Sequence, residues 1–87
     1  MDFEYDPAKS AANKVKHGID FDEASLIWKD ARAKSSLLDS RIETRYLLIG
    51  KLDEKLWSVI YTHRNERIRI ISARRSRSGE VDGYENG

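Results

Sequence analysis

The chain has 87 residues, 39% hydrophobic and 36% charged, with no cysteine and a formal charge of +1. These values describe one small domain, residues 1–87, with a modest core, and they exclude disulfide staples, thiolate metal sites and cysteine nucleophiles. Residues 1–20 hold no apolar run of signal-peptide type and nothing approaches a membrane span, so a cytoplasmic protein without membrane contact is expected.

Taken in order, Phe3-Glu4-Tyr5 alternates apolar and polar residues and predicts a short edge strand. Asp6-Pro7 is a helix start, with aspartate as N-cap and proline in the first turn, and Gly18 is the matching stop after His17. Ala8, Ala11, Ala12 and Val15 form the expected buried stripe, with Lys9, Asn13, Lys16 and His17 on another face. Asp20 and Glu23 have the spacing of a capping box and open a second helix at Phe21, ending near Asp30. Its apolar side carries Phe21, Ala24, Ile27 and Trp28.

Residues 31–36 read as a loop and Leu37-Leu38 as a brief strand. A clear strand follows over Arg41–Lys51, with Glu43, Arg45, Leu47 and Ile49 on one face. Asp53-Glu54 marks a hairpin turn, and Leu56–His63 is apolar on both faces near its centre, as an interior strand is. Arg64-Asn65-Glu66 makes another short turn before a strand over 67–75. The fold class is therefore α+β: β-α-α, then an antiparallel β-meander with the helices on one sheet face. Gly79 and Gly83 each cost roughly 1 kcal/mol inside a helix, so residues 78–87 are expected as a short C-terminal helix or a frayed tail.

The chemistry concentrates in Arg64–Arg77, where arginines 64, 67, 69, 74, 75 and 77 face a single acid, Glu66. Strict alternation puts Arg67, Arg69, Ile71 and Ala73 on one face, opposite Ile68, Ile70, Ser72 and Arg74. Arginine's planar fork suits bidentate contact with phosphate, so the strand is a candidate phosphate platform; a solvated, ion-paired face is the alternative.

Several stretches together resemble the BrnT family of toxins: Phe3-Glu4-Tyr5-Asp6-Pro7 with Lys9 and Asn13, then His17-Gly18-Ile19, Phe21 and Glu23-Ala24. Glu43-x-Arg45, Arg67-Ile68-Arg69-Ile70-Ile71-Ser72-Ala73-Arg74 and the spacing of Glu80 and Tyr84 extend the resemblance over essentially the whole chain. Gly79, Val81, Asp82 and Gly83 stand where a basic helical segment follows in such toxins. The resemblance implies the toxin of a type II toxin–antitoxin pair, with a RelE-like fold and RNA cleavage that stalls translation. It also implies neutralisation by a BrnA-like antitoxin with a ribbon-helix-helix domain, through which the complex would reach operator DNA.

Metal-independent RNA cleavage needs a base for the 2′-hydroxyl, an acid for the leaving oxygen and cations for the transition state. Arg69 and Arg74 are the first candidates for the cations, with Arg67 and Arg45 in support. Glu43 is a candidate base, an orienter of Arg45, or half of an exposed ion pair. His17 suits either proton-transfer role, and equally a structural place at a helix C-terminus. Lys14, Lys16, Arg67 and Arg75 are candidates for holding the RNA backbone, and Tyr61 for stacking on a base. No metal or other cofactor is expected. A non-enzymatic basic module that binds nucleic acid or an antitoxin is the alternative.

Overall fold

In the computed structural model, which describes residues 2–38 and 42–87, the chain is α+β. Its elements are β1 (Phe3–Glu4), α1 (Pro7–His17), α2 (Phe21–Ser25) continued by a 3-10 turn (Leu26–Lys29), β2 (Lys34–Leu38), β3 (Arg45–Leu52), β4 (Lys55–Arg64), β5 (Arg67–Arg75) and α3 (Ser78–Asn86). The strands form one sheet in the order β1-β5-β4-β3-β2; β1 runs parallel to β5 and the remaining neighbours are antiparallel.

The helix ends follow local chemistry. The Asp6 side chain accepts from the Ala8 amide at 2.9 Å, and Gly18 closes α1 at φ 81°, a left-handed conformation that suits glycine. At α2 both halves of the capping box form: Asp20 accepts from the Glu23 amide at 2.8 Å, and Glu23 from the Asp20 amide at 2.9 Å. Both hairpin turns have positive φ at their two central residues, Asp53-Glu54 and Asn65-Glu66, the signature of a type I′ turn.

The core lies between one sheet face and the segment of α2 and the 3-10 turn. Phe21, Ala24 and Ile27 pack with Ile19 against Leu48, Val59, Tyr61, Ile70 and Ala73. Gly50 admits the 3-10 turn, since a Cβ there would stand 2.5 Å from Cγ2 of Ile27. Trp28 caps this layer, edge-on to Phe3 and to Tyr61 at 5.0 Å between ring centres in both cases.

Four expectations change. Helix α1 does not bury its alanines: Ala8, Ala11, Ala12 and Val15 are exposed, whereas Ser10 and Asn13 are buried. The reason is that α1 lies along the β5 edge beyond the end of β1, where backbone groups need partners. Asn13 Nδ2 donates to the carbonyls of Ile19 (2.8 Å) and Ala73 (2.9 Å), its Oδ1 accepts from the Ala73 amide (3.4 Å), and Ser10 Oγ accepts from the Phe21 amide (2.9 Å). Thus a side-chain amide takes the place of a missing strand.

Second, β2 begins at Lys34, inside the stretch read as a loop, paired with β3 from Lys34↔Ile49 to Leu38↔Arg45. Third, β3 begins at Arg45, so Glu43 precedes the strand, and the expected start at Arg41 lies outside the described residues. Fourth, of the two forms expected for residues 78–87 the helix is present, but α3 crosses the sheet face opposite α1 and α2, so the helices do not share one face. Helix α3 has no fully buried residue and is held by polar bonds, which outweigh its two glycines.

Candidate active site

A β-bulge sets the geometry of the arginine strand. On β5, Arg69 pairs with Thr62 and Arg74 with Ser58, but Ile70 pairs with Tyr61 and Ser72 with Ile60, leaving Ile71 as the extra residue. The bulge corrects the alternation expected from sequence. Ala73 joins Ile68 and Ile70 in the core, and Arg74 returns to the face that carries Arg67 and Arg69. Thr62 and Ser58 are four residues apart on β4, so Arg69 and Arg74 sit about 13 Å apart along one face.

Arg69 opens onto a cleft of ≈ 160 Å³ lined by Asp6, Lys9, Glu43, Arg45, Arg64, Arg69, Ile70 and Ile71. Three strand ends and the first turn of α1 build it. Arg45 starts β3, Arg64 ends β4, Arg69 follows the β4–β5 turn, and the N-terminus of α1 brings Lys9. Glu43 lies between two guanidinium groups, 3.2 Å from Arg45 and 3.7 Å from Arg64, while Arg69 meets Glu4 at 3.1 Å. Thr62 is buried behind them and donates its hydroxyl to the Thr44 carbonyl at 2.6 Å, fixing the chain before Arg45. Cations thus outnumber acids in the cleft, and these side chains stay partly accessible. Hollows of ≈ 600 Å³ beside the β3–β4 turn and ≈ 420 Å³ beside the C-terminus are larger and wide open, but none of Arg45, Arg64, Arg69 and Arg74 lines them.

Arg74 is differently placed. Its guanidinium makes a two-pronged bond to Glu80 of α3, at 2.8 and 2.9 Å. Glu80 also accepts from the Arg77 amide and from Ser58 Oγ, each at 2.9 Å. The bond from Arg74 is the main reason that the Glu80 carboxyl titrates at about 2; burial opposes it, and the Arg77 and Ser58 bonds add to it. The same pair raises the pKa of Arg74. At the far end of α3 the Tyr84 hydroxyl donates to Asp30 at 2.8 Å, which raises the tyrosine pKa. On Asp30 burial is the largest single influence and acts upward. Bonds from the Lys51 and Arg32 amides and from Tyr84 outweigh it, so the net shift is downward.

The remaining candidates do not gather in the cleft. His17 closes α1, whose first turn lines the cleft; eight residues past Lys9, it is about 12 Å farther along the helix axis. Lys14 is bonded to Glu23 at 2.7 Å, and Lys16 is exposed on the same helix. Arg67 is exposed beside the β4–β5 turn, and Arg75 lies over the ring of Trp57 at 5.5 Å on the opposite sheet face. Tyr61, considered for base stacking, is buried instead. It stacks on Tyr46 at 5.3 Å, and its hydroxyl is 2.7 Å from Ser35 Oγ, so its ring is core. Arg64 and Lys9 are the cleft residues that sequence reasoning missed as site members. Arg64 had a usable signal, because it shares parity with Thr62 on β4. Among the described residues, no three His, Asp or Glu side chains come close enough to hold a metal ion.

No curated protein matches the chain. A family model does, over residues 5–80: the family of the ribonuclease toxin BrnT of type II toxin–antitoxin systems. That match spans α1 to the start of α3 and takes in Lys9, Glu43, Arg45, Arg64 and Arg69. The chain belongs to the BrnT family of type II toxin–antitoxin ribonuclease toxins.

Proposed function

We propose that the protein cleaves RNA in the Glu43–Arg45–Arg64–Arg69 cleft without a metal ion. The observation that carries this reading is that Arg45, Arg64, Arg69, Lys9 and Glu43 line one cleft, with Glu43 between the first two guanidinium groups. A phosphodiester seated there meets cations aimed at the oxygens that gain charge as the 2′-hydroxyl attacks. The attack forms a cyclic 2′,3′-phosphate and releases the 5′-oxygen of the next nucleotide. Glu43 accepts the 2′-hydroxyl proton, Arg45 and Arg69 stabilise the phosphorane charge, and Lys9 protonates the leaving oxygen. Arg64 orients Glu43. Arg67 and Lys16 extend the positive surface for flanking phosphates.

Family membership supports a toxin paired with an antitoxin. The sequence resemblance supports the finer points: a RelE-like fold, arrest of translation, and an antitoxin of ribbon-helix-helix type that carries the complex to operator DNA.

Purified protein should cleave single-stranded RNA with multiple turnover in the presence of EDTA, and Arg69→Ala should lower this on the order of 100-fold while the fold persists. Loss of cleavage in EDTA would overturn metal independence. Full activity in Arg69→Ala with loss in His17→Ala would move the chemistry to the far end of α1. One observation favours binding without cleavage, namely that the cleft carboxylate of Glu43 and, beside the cleft, that of Glu4 are already ion-paired to arginines. A retarded but intact RNA in the same assay would establish that alternative.

A further inference from the structure

Helix α3 stands on an arrangement that resembles a filled anion site. Beneath it the Arg74 guanidinium, the Ser58 hydroxyl and the Arg77 amide all donate to a single carboxylate, Glu80, and Ser76 Oγ lies 2.8 Å from Ser58 Oγ. Ser58 is completely buried and Arg74 about four-fifths buried, so these two donors are built into the sheet, while the Arg77 amide is the N-cap amide of α3 itself. A fork of guanidinium N–H groups with a hydroxyl is also a donor set that a phosphate group takes. The helix supplying the carboxylate has no fully buried residue and adds no side chain to the hydrophobic core. Elements held by few apolar contacts belong to the parts of a fold that open at low cost. Through the bulge at Ile71, Arg74 shares the face and direction of Arg69, about 13 Å away.

We propose that Glu80 is an internal stand-in for an RNA phosphate, and that Arg74 and Ser58 form a second phosphate subsite uncovered when α3 lifts. The inference rests on the reading of the Arg69 cleft as the place of cleavage, and it assigns the strand flanking the scissile bond a path along β5. Helix α3 is then a self-inhibiting cover: an RNA long enough to span both sites displaces Glu80, and a shorter one does not.

The test is binding of a 2′-O-methyl RNA oligonucleotide, which lacks the attacking hydroxyl, to the full chain over a series of salt concentrations. Glu80→Gln should bind about tenfold tighter than the wild type, because one charge-assisted competitor is gone. Its affinity should fall more steeply with salt, by about 0.7 in the log–log slope for one added phosphate contact. Glu85→Gln makes the same charge change on an exposed residue of the same helix and should give neither effect. Arg74→Gln added to Glu80→Gln should remove the gain, whereas Arg74→Gln alone should change affinity little. Tyr84→Phe, which loosens α3 without touching the subsite, should tighten binding in the same direction by a smaller factor. The proposal is overturned if Glu80→Gln binds no tighter than Glu85→Gln, or if its gain survives Arg74→Gln. Arg69→Ala separates the two readings. If it leaves affinity unchanged while the Arg74-dependent gain stands, the cleft is misassigned and the subsite is sustained.

Discussion

The two ends of one sheet face hold arginines in opposite ways. At the β4–β5 turn, Arg45, Arg64 and Arg69 meet carboxylates at 3.1–3.7 Å, side by side in a cleft open to solvent. At the other end, Arg74 is clamped by both Glu80 oxygens at 2.8 and 2.9 Å and covered by a helix. In the first arrangement positive charge is gathered and left reachable. In the second it is neutralised and built into the fold. Side-chain identity and sheet face are the same in both cases, so the difference lies in what the rest of the chain places opposite each guanidinium.

The largest effect that tests this contrast is on activity. Arg69→Ala should lower RNA cleavage on the order of 100-fold, the usual cost of removing a transition-state donor. Its stability, read from the urea midpoint, should fall by less than about 1 kcal/mol, since the ion pair with Glu4 is partly solvated. Equal losses of activity and stability would erase the distinction between the two ends. Asn13→Ala should degrade both ends together. It leaves buried backbone groups at Ala73 and Ile19 without partners on the strand that carries both clusters, a loss of about 2–3 kcal/mol by thermal melting. Arg74→Ala should show the inverse of Arg69→Ala, with a stability loss of about 2 kcal/mol and cleavage reduced at most a few-fold.

The Arg74 end should also respond to acid. The Glu80 carboxyl titrates at about 2 in the folded chain against an ordinary 4.5, so its stabilising effect is complete above pH 4.5. That effect is lost as the pH falls toward 2. Amide resonances of Val81–Tyr84 followed by NMR should report release of α3 over that window in the wild type, and no such transition in Glu80→Gln. The smallest effect is expected at the turn next to the cleft. Glu66 has φ 65°, which glycine adopts without a Cβ penalty, so Glu66→Gly should stabilise the chain by about 0.5–1 kcal/mol in urea unfolding. Cleavage should not change, because Glu66 does not line the cleft.

Much of the framework was legible because it depends on local chemistry. Asp6-Pro7, Gly18 and the Asp20–Glu23 pair mark helix ends through bonds made within a few residues. Asp53-Glu54 and Asn65-Glu66 mark turns between strands rich in aliphatic residues. The buried face of α1 was not legible from hydropathy, because this helix meets unpaired strand edges and buries Ser10 and Asn13, which can bond to them, instead of its alanines. Helix α3 was obscured for a related reason: its glycines argue against a helix locally, and Arg74 and Asp30, which hold it, lie far away in sequence. In the candidate site, Arg69 could be named from its place on the arginine strand and Glu43 with Arg45 from their i, i+2 spacing, although Glu43 precedes β3. The addition of Arg64 and Lys9, and the diversion of Arg74 and Tyr61, required knowledge of which elements lie opposite them.

The bulge at Ile71 makes the wall of the Arg69 cleft separable from the packing of the core. Removing Ile71 would leave Ile70 opposite Tyr61 and Ser72 opposite Ile60, with every other β5 side chain on the face it already occupies. Removing a residue such as Ile68 or Ala73 would instead turn part of the strand over, sending arginines into the helical layer and isoleucines into solvent. The strand therefore has one position at which its length can change by a residue without exchanging inside for outside. Because Ile71 also forms part of the cleft wall, a change of length there would alter the cleft and leave the hydrophobic layer beneath it intact.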